Sequence, residues 1–231
     1  MAAPSRLPIG GTRGRRFDLD AIESVLDALQ GIFPEIDLIL KDRHDPLDDD
    51  VVGNMMAGYA LVDELVADGV DIFAFGQLEH WLELNARVLC GTDPRVRARL
   101  ADHLQATEER FYEGTEGGIR DVVEWQERAS IQSVWKRAAG VYIRMVSEPQ
   151  LFSEGNHRCG VLVMSFMLAR AGGPPVVLTP ANAVGFFELS TSIKQLRKHS
   201  LSMAVNMTPM KRRLADWLRS QANEAWLLPP A

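Results

Sequence analysis

Apolar residues recur along this chain at intervals of three and four, the spacing that places them on one face of an α-helix. Leu19, Ile22, Val25, Leu26, Leu29 and Ile32 form the first such stripe, with Asp18 or Asp20 positioned to cap its start. A polar stretch, Lys41 to Asp50, follows, and a second helix is predicted from Val51 to Ala67, ended by Gly69. Leu78, Trp81, Leu82, Asn85, Val88 and Leu89 mark a third helix that stops at Gly91. Asp93-Pro94 opens another, with Val96, Leu100, Leu104 and Phe111 inward. Ser130 to Ser147 is amphipathic and directs Ile131, Val134, Trp135, Ala138, Val141, Tyr142 and Met145 to the core. Val161 to Ala169 is apolar except for Ser165, as a helix buried on all sides requires. Phe186 and Phe187 adjoin a further helix, and a last one runs from about Thr208 to Trp226 with Leu214, Trp217 and Leu218 inward. No segment alternates with period two for long enough to build a sheet, so the predicted class is all-α.

Two segments interrupt the helices. Tyr112 to Arg120 contains three glycines and reads as a flexible interhelical loop. Val176 to Leu178, after Pro174-Pro175, is a short apolar piece suited to walling a pocket. Lys194, Arg197, Lys198 and His199 read as a solvated basic ridge. The organisation expected from these signals is a mobile tail over 1–17, helices over 18–70, a core over 71–205 and a C-terminal helix over 206–231.

Composition narrows the function classes. With 231 residues, 46% of them hydrophobic, the chain is long enough to bury one sizeable core. A net charge of −6 argues against non-specific nucleic-acid binding. The two cysteines, Cys90 and Cys159, flank apolar segments and read as reduced core thiols, which points to a cytoplasmic setting. No apolar run reaches membrane-spanning length. His44 with Asp45, Asp48, Asp49 and Asp50 reads as helix capping, not as a metal site, and His80 and His103 lack partners at zinc-like spacing.

The chemistry concentrates in Leu151-Phe152-Ser153-Glu154-Gly155-Asn156-His157-Arg158, at the entrance to the all-apolar helix. Gly155 and Asn156 tolerate positive φ, so the backbone there is able to curl its N–H groups toward an anion. A helix N-terminus adds free amides and a partial positive charge. Arg158 supplies a forked cationic donor, and Glu154 a carboxylate suited to a magnesium ion shared with phosphates. Residue types alone leave a second reading open: a capped helix after a turn, with Glu154 and Arg158 solvated.

The segment resembles the signature of the Fic/Doc (Fido) family, His-Pro-Phe-x-Asp/Glu-Gly-Asn-Gly/Lys-Arg, through Phe152, Glu154, Gly155, Asn156 and Arg158. The resemblance extends from about Gln77 to His199 and is specific only in the signature. It implies a Fic-like helical bundle, the hairpin flap at Tyr112 to Arg120, and transfer of AMP or a related group from ATP with Mg²⁺ to a hydroxyl of a protein target. By the same resemblance Glu154 holds the metal, while Gly155, Asn156, His157 and Arg158 line the phosphates. Gln150 stands where the family has its catalytic histidine, and Leu151 where it has proline. A carboxamide has no titratable nitrogen near neutral pH and is no general base. His157 is the alternative base within reach in sequence, and Val161 replaces the family's second arginine. Ser220 to Ala225 resembles the family's inhibitory helix, but with Val161 in the partner position Glu224 reads as ordinary surface. The expectation is therefore a degenerate nucleotidyltransferase that binds a nucleotide or other phosphate ligand. The alternative is a catalytically silent helical interaction module.

Overall fold

The computed structural model describes residues 15–42, 45–113 and 117–229. Among them are ten α-helices and one 3₁₀ turn, with no strand, so the all-α class is observed. Asp18 caps α1 (Leu19–Ile39) by accepting from the Ala21 amide. α1 outruns its expected end at Ile32 and continues through Pro34, because Phe33 and Ile36 extend the buried stripe. Burying two such side chains is worth about 1.5–3 kcal/mol each, enough to offset the roughly 3 kcal/mol that an interior proline costs. Asp48 caps α2 (Asp49–Ala67) in the same manner, and Gln30 of α1 donates to Asp49. His44 lies outside the described residues.

α3 (Glu79–Cys90) ends at Gly91 as expected. The single helix expected after Pro94 is instead two, α4 (Pro94–Arg99) and α5 (Ala101–Glu113), broken at Leu100. Arg97 explains the break: it turns back onto Glu83 and the Gly91 carbonyl, tying α4 to the end of α3 while α5 departs. Tyr112 belongs to α5 and Ile119 opens α6 (Ile119–Arg128). The middle of the expected flap, 114–116, lies outside the described residues. α7 (Val134–Val146) buries Ala138, Val141, Tyr142 and Met145, whereas Ile131 is 95% exposed, because it precedes the helix in a turn and never joins its inner face.

α8 (Asn156–Arg170) is buried along most of its length and packs against α7, α2 and α3. α9 (Ala183–Lys194) and α10 (Leu201–Ser220) pack on α7. One hydrophobic core runs from Phe17 to Leu227 through these helices. Val176 is fixed by Ser165 and by the Tyr59 hydroxyl, which donates to its carbonyl. Residues 1–14 of the expected tail lie outside the described residues, but Phe17 is buried, pairs with Leu227 and donates to Asp63. No described helix is long and apolar enough to cross a membrane.

Small residues set how closely the central helices approach. A Cβ on Gly160 would meet the Tyr142 ring at 2.6 and 2.8 Å, and one on Gly58 would collide with Leu162. Tyr142 is fully buried and hydrogen-bonded, so it has little room to yield. Gly160→Ala is expected to lower stability by about 1–3 kcal/mol through overpacking, read as a reduced midpoint in urea. A midpoint equal to that of the unaltered protein would refute the close approach of α7 and α8.

Candidate functional site

Between α7 and α8 the chain makes a loop whose every turn is fastened. Glu148 pairs with the 196–198 segment: its amide donates to the Leu196 carbonyl and its carbonyl accepts from the Lys198 amide. The Lys198 ammonium then donates to the Pro149 carbonyl at 2.6 Å. The expected basic ridge is thereby corrected. Lys194, Arg197 and His199 are exposed, but Lys198 is only 5% exposed and serves the loop. The Leu151 amide returns to the Met145 carbonyl, and Arg110 of α5 donates twice to the Gln150 carbonyl, at 2.7 and 3.1 Å. Phe152 is buried and stacked on Phe111 of α5, with ring centroids 5.6 Å apart.

Asn156, 3% exposed, is the centre of this arrangement. Its Oδ1 accepts from the Phe152 amide at 2.8 Å, and its Nδ2 donates to the Phe152 carbonyl and to Oε1 of Gln150. With the Asn156 side chain committed to the loop, only its backbone faces a ligand. Gly155, immediately before α8, has φ 74° and ψ 9° in the left-handed region. A side chain there would crowd Asn85 and Leu89, so glycine meets both a backbone and a space requirement. Among the described residues the amides of Ser153, Glu154, Gly155, Asn156 and Arg158 have no hydrogen-bond acceptor. These unused donors adjoin left-handed Gly155, at the positive end of a fifteen-residue helix.

The side chains assigned from sequence are placed as follows. Gln150 is folded onto its own surroundings, its Nε2 donating to the Val146 carbonyl. His157 turns its Nδ1 to the Ser190 hydroxyl at 2.6 Å and the Tyr142 hydroxyl at 3.0 Å, two groups that also bond each other. Burial raises the Tyr142 phenol, against an opposing bond from Ser190. Arg158 donates one N–H to the Val88 carbonyl at the end of α3. Burial lowers its pKa, opposed by the carboxylates of Glu154, Asp45 and Asp48. Its remaining donors have no acceptor among the described residues. The Glu154 side chain is 62% exposed, with His103 of α5 at 3.9 Å. Cys159 is fully buried and its thiol is pushed up by desolvation.

A magnesium ion fits this arrangement in one way. Among the described residues no group of three His, Cys, Asp or Glu could hold an ion unaided. Mg²⁺ commonly takes one or two carboxylates and draws its other ligands from phosphates and water, which is what Glu154 beside the free amides offers. A surface recess lined by Trp135, Leu168, Pro174 and Trp217 adjoins the far end of α8 and not this loop. Val176, expected to wall a ligand pocket, lines that recess instead. No family model matches the chain, and no curated protein matches it.

Sequence reasoning passed over Asn85, Arg110 and Lys198 as parts of the loop's support. Lys198 carried no local signal of its own, since Lys194 and Arg197 lie nearer to the apolar Ile193 and Leu196 and are exposed. Burial depresses its ammonium to about 8, with the nearby Asp121 and Glu148 opposing and Arg144 and Arg110 reinforcing. The unfolded chain, titrating near 10.4, thus holds a proton that the folded chain has released between these values. Stability contributed at this position is therefore least below pH 8 and rises from there to about pH 10. Urea midpoints of the protein minus those of Lys198→Met are expected to increase over that window. A difference that falls or stays flat would show that the ammonium is not desolvated.

Proposed function

We propose that this chain is a Fic-like protein that binds the phosphates of a nucleotide, with Mg²⁺, at the 153–158 curl, and that it is a degenerate nucleotidyltransferase. The observation that carries the reading is the set of unused amides around left-handed Gly155 at the start of α8. Phosphate oxygens would take those N–H groups and the remaining donors of Arg158. Glu154 would hold Mg²⁺, which supplies charge neutralisation between phosphates when bound. A cytoplasmic protein with a Ser, Thr or Tyr hydroxyl is the target class that goes with the reading.

Weak or altered transfer follows from the side chains. Gln150 takes no proton, and its amide is engaged with Val146 and Asn156. His157 has its Nδ1 committed to Tyr142 and Ser190, which leaves it poorly set to act as base for an incoming hydroxyl. A missing general base slows a reaction by about 10²–10⁴-fold and leaves phosphate affinity intact. The interaction-module reading is favoured by the same internal bonding of Gln150 and Asn156, and ligand binding decides between the two.

Mg·ATP at about 100 times its Kd adds about 2.7 kcal/mol, so the Tm is expected to rise by several degrees. In Arg158→Ala, measured against its own ligand-free Tm, that rise should vanish. If ATP, GTP, CTP and UTP all leave the Tm unchanged, phosphate binding is refuted and the interaction module stands. Gln150→His is expected to increase label transfer from α-labelled ATP to protein by about 10²-fold or more. Transfer no faster than in the unaltered chain would sink the nucleotidyltransferase half of the proposal while leaving the binding half to the Tm measurement.

A further inference from the structure

Charge is divided unevenly along this chain. Residues 18–50 hold 11 Asp and Glu against 2 Lys and Arg, whereas 189–215 hold 6 Lys and Arg and no Asp or Glu. The acidic run covers α1 and the start of α2, and the basic run covers the end of α9 and most of α10. Neither is discharged internally. Among the described residues Glu35, Asp42, Lys194, Arg197, Arg212 and Arg213 form no ion pair. The helix ends add to both signs. α1 finishes with no basic residue in its last turn, and α10 starts with no acidic residue in its first. The negative end of one helix dipole and the positive end of the other are therefore left without an opposing side-chain charge.

Each of these ends also exposes a pair of aliphatic side chains. Leu38 and Ile39, in the last turn of α1, are each 68% exposed, and Leu201 and Val205 of α10 are 87% and 72% exposed. Positions 201 and 205 are one turn apart on the same face of α10, turned away from the buried Met203, Leu214 and Leu218. A single exposed leucine is ordinary. Two exposed pairs, each set among charges of one sign, are not. Glu35 is one turn before Leu38 and Ile39 with Asp42 just after them, and Arg197 and His199 immediately precede Leu201. Within one chain the two pairs do not cover each other, since all four side chains stay in solvent.

We infer that the end of α1 and the start of α10 are the two halves of a head-to-tail contact between copies of this chain. Leu38 and Ile39 of one copy pack on Leu201 and Val205 of the next, with Glu35 and Asp42 set against Lys194 and Arg197. Complementary charge selects this pairing and speeds the encounter, while the aliphatic contact holds it. Either end meeting its own copy would oppose like charges, so the contact is heterologous and continues from copy to copy into a ring or a chain. An anionic lipid surface would answer the basic end alone and leave the acidic, apolar end of α1 unexplained. The inference does not rest on phosphate binding, because none of these side chains lies in the 148–158 loop.

The test is sedimentation velocity of the nucleotide-free full chain over a range of concentrations. Mass above that of one chain is expected, rising with concentration and falling toward 1 M salt, where the screening length drops to about 3 Å. Leu201→Asp and Leu38→Asn change side chains that face solvent, so each should keep the unaltered Tm while weakening association by about tenfold or more. Mixed in equal amounts, the two variants retain one intact α1 end and one intact α10 start between them. They should therefore pair, at twice the mass of one chain, and grow no further. A chain that stays single at every concentration overturns the inference, as does association that both variants retain. Two variants that remain single when mixed would show an isologous contact instead. Flotation of single chains with phosphatidylserine vesicles, lost in Leu201→Asp, would assign the α10 end to a membrane and equally overturn it.

Discussion

A single buried carboxamide governs the shape of the 148–158 loop. Asn156 spends its oxygen on the Phe152 amide and its nitrogen on the Phe152 carbonyl and Gln150, closing a turn four residues before its own position. These polar atoms lie where water does not reach, so each bond is worth more than its net value in solvent, and losing one partner strands the others. The consequence is directional. With the turn closed from inside, Ser153 to Asn156 have their amides facing away from the protein's own acceptors. The same bonds that leave those amides unused also hold the Asn156 and Gln150 side chains inside the loop.

The loop is held in place by elements distant in sequence. Arg110 holds the Gln150 carbonyl, Lys198 the Pro149 carbonyl, and Arg158 reaches to Val88. Three cations thus terminate on backbone carbonyls and not on carboxylates. A neutral acceptor does not discharge a cation, so these three keep their charge beside the loop, offset in part by Glu154, Asp45 and Asp48 near Arg158 and by Asp121 and Glu148 near Lys198.

Local signals in the sequence foretold much of this. The apolar runs of α1, α7 and α8, capping by Asp18 or Asp20 and by the aspartates before α2, and the terminating Gly91 depend on neighbours within a few residues, which local pattern reports directly. Gly155 was legible for the same reason, since its left-handed backbone is a property of the residue itself. What stayed hidden were long-range choices. An Asn after a Gly serves a ligand or its own turn with equal chemical ease, and only the packed loop selects the second use for Asn156. Lys198 sits in a basic run whose exposure pattern is set by the Glu148 pairing, fifty residues upstream. Ile131 fits the inward spacing of α7 yet falls in the turn before it, because the helix starts only after Ser133. The split at Leu100 depends on Arg97 meeting Glu83, which no window of periodicity contains.

The pairing of Phe17 with Leu227 brings residues 16–18 alongside 226–228, with the Leu228 amide on the Arg16 carbonyl. The start of α1 is therefore anchored by residues that follow α10, and loosening of 226–228 would release both at once, so the two segments open as a single unit.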